Sequence, residues 1–193
     1  MEITGSIHQR GVALLRVLVG IIFLWAGVEK LVAPKPFDAS GFLKFGTAGT
    51  LGWPFVSGEV AEGTVFNPTH AFWAGLADNA AAISTINALV VAGEIGIGIA
   101  LVLGLFTRFA GAMGTLMMLF FFFAAWNFAY GIVNQHLAYA LICATITGLG
   151  AGRYYGLDGM LADRFPAGVR RYLMSGDVAG PASTSTDPVP ATS

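Results

Sequence analysis

Glu94, Glu29, His136 and Lys30 are the side chains in this sequence best suited to move protons or hold a polar ligand. Glu94 stands near the middle of residues 83–106, where the only other polar side chains are Ser84, Thr85 and Asn87. A carboxylate at mid-depth of a segment long enough to cross a bilayer is costly and faces protein or water. Two readings of Glu94 stand side by side: chemistry, or a hydrogen bond or ion pair that only holds helices together. Asn87, Glu94, Leu101 and Arg108 recur at heptad spacing and share a helical face. Arg16, about a turn inside the first apolar segment, is expected to reach Glu94 as a buried ion pair, with Arg108 supporting it from below. The other reading of Arg16 is a side chain that snorkels to lipid phosphate. Glu29 and His136 are the expected proton-handling pair, because imidazole titrates near neutrality and a partly buried carboxylate can be tuned toward it.

Around that pair the expected ligand-orienting set is Trp25, Lys30, Asn87, Trp126, Asn127 and Tyr130. A flat head with two carbonyl oxygens, such as a quinone, needs hydrogen bonds at both oxygens and a protonatable neighbour. Taken singly, each of these residues reads as readily as part of an interfacial aromatic belt with capping side chains.

The elements that must position them are membrane helices. Of the 193 residues, 55% are hydrophobic and only 11% charged, against about 25% charged in a soluble domain. We expect an all-α integral membrane protein, a four-transmembrane-helix up-down bundle with helices near 12–33, 81–106, 109–128 and 135–152. Residues 1–11 form a polar arm. The external loop 34–79 carries too many aromatics for a free linker and is expected to cap the bundle between the first two helices. Residues 159–175 are amphipathic and basic, and 176–193 are Pro/Ser/Thr-rich and expected to be disordered. Arg10 and Arg16 before an apolar run raise the possibility of a signal peptide, but that run ends in Glu29-Lys30 with no small-residue cleavage site after it.

Within these helices, Arg16, Gly20, Phe23, Gly27 and Lys30 share one face, and Glu29 points about 100 degrees away from Lys30. Ala92, Gly96, Ala100 and Gly104 form a small-residue ridge expected to let another helix approach closely. Phe120–Phe123 point all round their helix, as lipid-facing bulk or as the lining of a groove for an isoprenoid tail. Lys and Arg asymmetry places both termini in the cytoplasm, with Lys30, Lys35 and Lys44 outside.

Several chemistries find no support. A net charge of -1 gives no case for nucleic acid. The lone Cys143 cannot do dithiol chemistry by itself. His8, His70 and His136 are scattered, so no metal or haem ligand set is expected. Flavin and nicotinamide fingerprints are lacking.

The sequence resembles the DoxX/DoxD family of small four-helix membrane proteins. The resemblance is carried by Leu15-Arg16-Val17 and Trp25-Ala26-Gly27-Val28-Glu29-Lys30. It continues through Phe37-Asp38-Ala39-Ser40-Gly41-Phe42-Leu43, Asn67-Pro68, Gly93-Glu94-Ile95-Gly96-Ile97-Gly98, Leu103-Gly104-Leu105-Phe106-Thr107-Arg108 and Trp126-Asn127. It ends with Gly152-Arg153-Tyr154-Tyr155-Gly156-Leu157-Asp158. That family includes the quinone-reducing membrane subunit of thiosulfate:quinone oxidoreductase. The resemblance therefore implies a quinone cofactor, a multi-pass location in the cytoplasmic membrane, lipid contact and a second subunit or soluble redox partner. An anionic sulfur donor such as thiosulfate, oxidised at the outer face, would need positive charge, which Lys30, Lys35 and Lys44 supply. A homo-oligomer fits the small-residue ridges. The rival implication is a non-catalytic anchor for a soluble redox or sulfurtransferase partner. A transporter fits less well, because no discontinuous helix or inverted repeat is visible.

Overall fold

The structure, a computed structural model, describes residues 2–45, 47, 67–126 and 134–175. Among them all regular structure is helical. In chain order come α1 (Glu2–Val32), α2 (Ser40–Lys44), α3 (His70–Ala77), α4 (Ala80–Leu103), α5 (Thr107–Ala124), α6 (Gln135–Gly148), α7 (Leu157–Leu161) and α8 (Ala167–Tyr172). Residues 7–32 of α1, all of α4 and all of α5 are long and apolar enough to cross a membrane. The 14 residues of α6 span about 21 Å, short of the ~30 Å of a hydrocarbon core.

Local chemistry sets the ends. Pro34 and Pro36 follow the end of α1, where proline cannot continue a helix. Asn79 opens α4 by accepting the Ala82 N–H at 3.0 Å, and Asn134 opens α6 by accepting those of His136 and Leu137. Gly104, at φ 68°, closes α4 in the left-handed region. The helix expected to run to 106 therefore stops at Leu103. Arg108 belongs to α5, where its guanidinium donates to the Arg171 carbonyl at 2.8 Å rather than supporting Glu94. Glu94 and Leu101 of the heptad set are buried, as a shared inward face requires.

Helix contacts run in opposite senses along each neighbouring pair. On α1 and α4, Gly20 lies against Val102, Leu24 against Gly98, and Gly27 against Ile95 and Glu94. A Cβ on Gly98 would fall 2.5 Å from the Leu24 nitrogen, and one on Gly20 2.7 Å from the Val102 nitrogen. Backbone meets backbone there, and only glycine allows it. The expected ridge is not the contact: Ala92 and Gly96 are exposed, and a Cβ on Gly96 meets nothing within 4 Å. The register of α1 turns Gly98, two residues on, inward instead. On α5 and α6, Gly114 lies against Cys143 and Gly111 against Thr147. Val19, Phe23, Ile97, Leu101, Met118, Cys143 and Ile146 draw one core from α1, α4, α5 and α6.

Arg16 is 2% exposed and does not reach Glu94. Its guanidinium donates to the carbonyls of Ala151 (2.8 Å), Tyr154 (3.0 Å) and Tyr155 (3.3 Å), stapling α1 to the turn after α6. Those carbonyls belong to the turn that follows α6, and that of Ala151 also accepts the Tyr154 N–H at 3.2 Å. Beside them Asp158, fully buried, accepts the N–H groups of Phe106 (2.7 Å), Thr107 (3.0 Å) and Ser175 (3.0 Å). It caps the start of α5 from a distant part of the chain. The Arg153–Asp158 run is thus a structural knot at one end of the bundle.

Candidate functional site

Fourteen residues after Arg16 on α1 comes Lys30. Its ammonium lies 2.9 Å from Glu94 Oε1 and 2.8 Å from Oε2, and it also donates to the Ala26 carbonyl at 3.3 Å. Oε1 takes the hydrogen bond. Oε2 is held at ion-pair distance and accepts no hydrogen bond among the described residues. The Glu94 side chain is 4% exposed and that of Lys30 27%. The partner of Glu94 is therefore Lys30, not Arg16. Gly27 brings α4 close enough for a lysine one turn further along α1 to fold back onto the carboxylate.

The outer side of Lys30 faces a pocket of about 530 Å³. Ile86, Leu89 and Val90 of α4 form one wall, and Met117, Phe120, Phe121 and Ala124 of α5 the other. The described parts of 34–79 complete it: Phe37, Phe42 and Leu43 around α2, and Phe72, Trp73 and Leu76 on α3. His136, at the start of α6, closes the far side with its ring edge-on to Phe121 at 5.7 Å. The polar side chains of the lining are Lys30, Asp38, His136 and the Trp73 indole. Trp73 spends its N–H on Thr69 Oγ1 at 2.9 Å. Asp38 spends both oxygens on Ser40, on its N–H at 2.9 Å and its hydroxyl at 2.7 Å. These bonds, the backbone one foremost, hold the Asp38 carboxyl below its ordinary value. Among the described residues of the lining, Lys30 keeps one N–H beyond its bonds to Glu94 and Ala26, and with the His136 ring it is what can donate to a ligand.

The residues singled out in the sequence divide accordingly. Lys30 and His136 line one pocket, and Glu94 lies behind Lys30. Glu29 and Trp25 are on the exposed face of α1, Trp25 at 71%. Glu29 does not line the pocket, so the structure does not pair it with His136. Asn87 does not point at the pocket lumen; its Oδ1 accepts the Ala39 N–H at 2.9 Å and holds the start of α2 on α4. Trp126 stacks on Phe122 at 5.8 Å. Asn127 and Tyr130 lie outside the described residues. Of the three lysines expected to hold an anion, Lys30 is taken by Glu94 and Lys44 by Asp78 at 2.6 Å, leaving Lys35 in the open.

Sequence reasoning used Asn67 and Asp38 only as marks of the family resemblance and gave neither a structural role. Asn67, 3% exposed, donates to the carbonyls of Phe123 and Ala124 and accepts from Thr69, so it ties the start of α3 to the end of α5. Asp38-Ala39-Ser40 carried the signal of an Asx turn, aspartate two residues before a hydrogen-bonding serine. Among the described residues no three His, Cys, Asp or Glu side chains converge as a metal site would require.

Three long apolar helices, two of them joined by a partly buried ion pair, define an integral membrane protein with an apolar pocket. Its residues 11–127, more than half of the chain, match the DoxX family model, and the chain belongs to the DoxX family. The Arg153–Asp158 knot lies beyond the matched residues. No curated protein and no solved structure matches the chain.

Proposed function

We propose that this chain is the quinone-binding membrane subunit of an oxidoreductase, and that the pocket above Lys30 holds the quinone head. The observation that carries this reading is the lining: apolar walls with two donor side chains from different helices, the remaining N–H of Lys30 and the His136 ring. An oxidised quinone head offers only acceptors, so two donors on an otherwise apolar surface fit it. Bound quinone supplies a two-electron, two-proton acceptor. Lys30 orients one carbonyl, His136 the other, and Glu94 keeps the Lys30 ammonium in place and provides a proton-accepting oxygen behind it. Water is kept out by Phe37, Phe42, Phe72 and Trp73.

The rest of the proposal follows from this placement. α1, α4, α5 and α6 form an up-down bundle of four crossings in the cytoplasmic membrane. The turn after Gly148 completes the short fourth crossing, and both termini are cytoplasmic. α2 and α3 cap the outer side. The electron donor is thiosulfate or a related sulfur compound, oxidised on a second subunit, because this chain carries no dithiol and leaves only Lys35 uncommitted for an anion. A second reading, an anchor for a soluble redox or sulfurtransferase partner, draws on the opposite end, where Arg164 and Arg171 are exposed beside α8.

The test is extraction of quinone from protein purified in mild detergent. Wild type and Glu29→Gln should retain it, and Lys30→Met and His136→Ala should lose at least tenfold while keeping their helical circular dichroism. Wild type devoid of quinone, even after incubation with added ubiquinone, would remove the reading and leave the anchor.

A further inference from the structure

The pocket has a mouth, and the mouth is greasy. Four large apolar residues line the pocket and are at the same time exposed: Phe42 at 47%, Phe72 at 59%, Leu89 at 65% and Phe120 at 52%. Leu89 and Phe120 stand on the two facing helices, α4 and α5. Leu89 is five residues from Glu94, about 7.5 Å along the axis. Glu94 is near the middle of α4, so Leu89 falls well inside a half-bilayer of ~15 Å. Exposed leucine and phenylalanine at that depth meet lipid chains, whereas a water-facing mouth at the same place would carry polar side chains. Of the two charged side chains in the lining, Lys30 is held by Glu94 and exposed Asp38 stands in the α1–α2 connection, not on α4 or α5; the Leu89–Phe120 rim carries no charge, so a ligand entering there leads with its polar head.

We infer that the pocket opens sideways into the bilayer through a portal between Leu89 and Phe120, and that its ligand is a membrane-dissolved isoprenoid whose head reaches Lys30 while its tail stays in the portal and the surrounding lipid. This rests on the quinone reading for the identity of the head, not for the direction of the opening. The chemistry of the site divides along the same line. A water-soluble reductant cannot share this entrance, so electrons must arrive from another face of the protein.

The experiment places a nitroxide on Leu89→Cys and, separately, on Phe120→Cys in liposomes of phosphatidylcholine and phosphatidylglycerol. The native Cys143 is fully buried, and unsubstituted protein serves as the unlabelled control. Relaxation by oxygen, which concentrates in hydrocarbon, is compared with relaxation by a water-soluble nickel chelate. A label on Met160→Cys, 78% exposed on α7, supplies the reference for a site outside the helix bundle. Both rim labels should favour oxygen at least fivefold over the Met160 label, and ubiquinone with two isoprene units should slow their motion. Rim labels relaxed as readily by nickel as the reference would overturn the portal. So would rim labels unmoved by a quinone that wild type demonstrably retains. If wild type retains no quinone, the functional reading fails, and the oxygen-to-nickel ratio still decides whether the pocket faces lipid.

Discussion

Lys30 and Glu94, 64 residues apart in the chain, form one ion pair across the contact between α1 and α4. The pair exists because Gly27 lets the two helices close, and it puts Lys30, the one lysine or arginine among the described residues of the pocket, where apolar walls surround it. A partly buried pair is poor evidence for stability, since desolvation offsets much of the attraction, but losing one partner is costly.

Glu94→Leu should therefore destabilise the protein by about 2–3 kcal/mol, less than the ~3–5 kcal/mol of a fully buried pair because part of Lys30 reaches solvent or ligand. Lys30→Met/Glu94→Leu should recover most of that loss. Thermal unfolding in detergent checks both, and a double variant as unstable as the sum of the singles would show that the two residues do not act as one unit.

Gly98→Ala should disrupt the α1–α4 contact, because its Cβ would meet the Leu24 backbone at 2.5 and 2.7 Å and backbone cannot rotate away. We expect a loss of at least ~2 kcal/mol, in the range of overpacked sites. Gly96→Ala, with open space around it, should be neutral or gain up to ~1 kcal/mol from helix propensity. The sign of the difference in melting temperature between these neighbouring variants is the readout.

Asp158→Ala should expose three N–H groups that now share one carboxylate, at a cost of about 3 kcal/mol. Asp158 lies at the Arg16 end of α1, away from Lys30, so quinone retention in the protein that remains folded should stay at the wild-type level. Loss of quinone in step with loss of stability would mean that the knot and the pocket are coupled.

Acid should loosen the α2 turn. The Asp38 carboxyl is held below its ordinary value near 3.8 by the Ser40 N–H and hydroxyl. Its contribution is present above the unfolded value and is lost as pH falls through the lower folded one. Protection of the Ser40 amide against hydrogen exchange, corrected for intrinsic rate, should fall below pH 3.8 in wild type and be low at every pH in Asp38→Ala.

The sequence alone determined the class of protein and the inward face of α1. Apolar length, charge at the segment ends and the spacing of Arg16, Gly20, Phe23, Gly27 and Lys30 are local properties. The membrane enforces them, because a helix in lipid must satisfy its backbone within itself. It also marked Glu94 as exceptional, since an isolated carboxylate in an apolar run stands out without any knowledge of its neighbours. Tertiary structure alone decided which cation answers Glu94. Arg16 and Lys30 share a face of α1, and spacing along α1 cannot say how far α4 is shifted past it; the glycine contacts fix that shift and deliver Lys30. The same shift turns Gly98 inward and leaves Gly96 outside, although both are small residues on one helix. The pocket itself was invisible for a related reason. Its walls come from α4 and α5, its roof from α2 and α3, and its two donors from α1 and α6, and side chains so far apart in sequence acquire a common purpose only when the helices are packed.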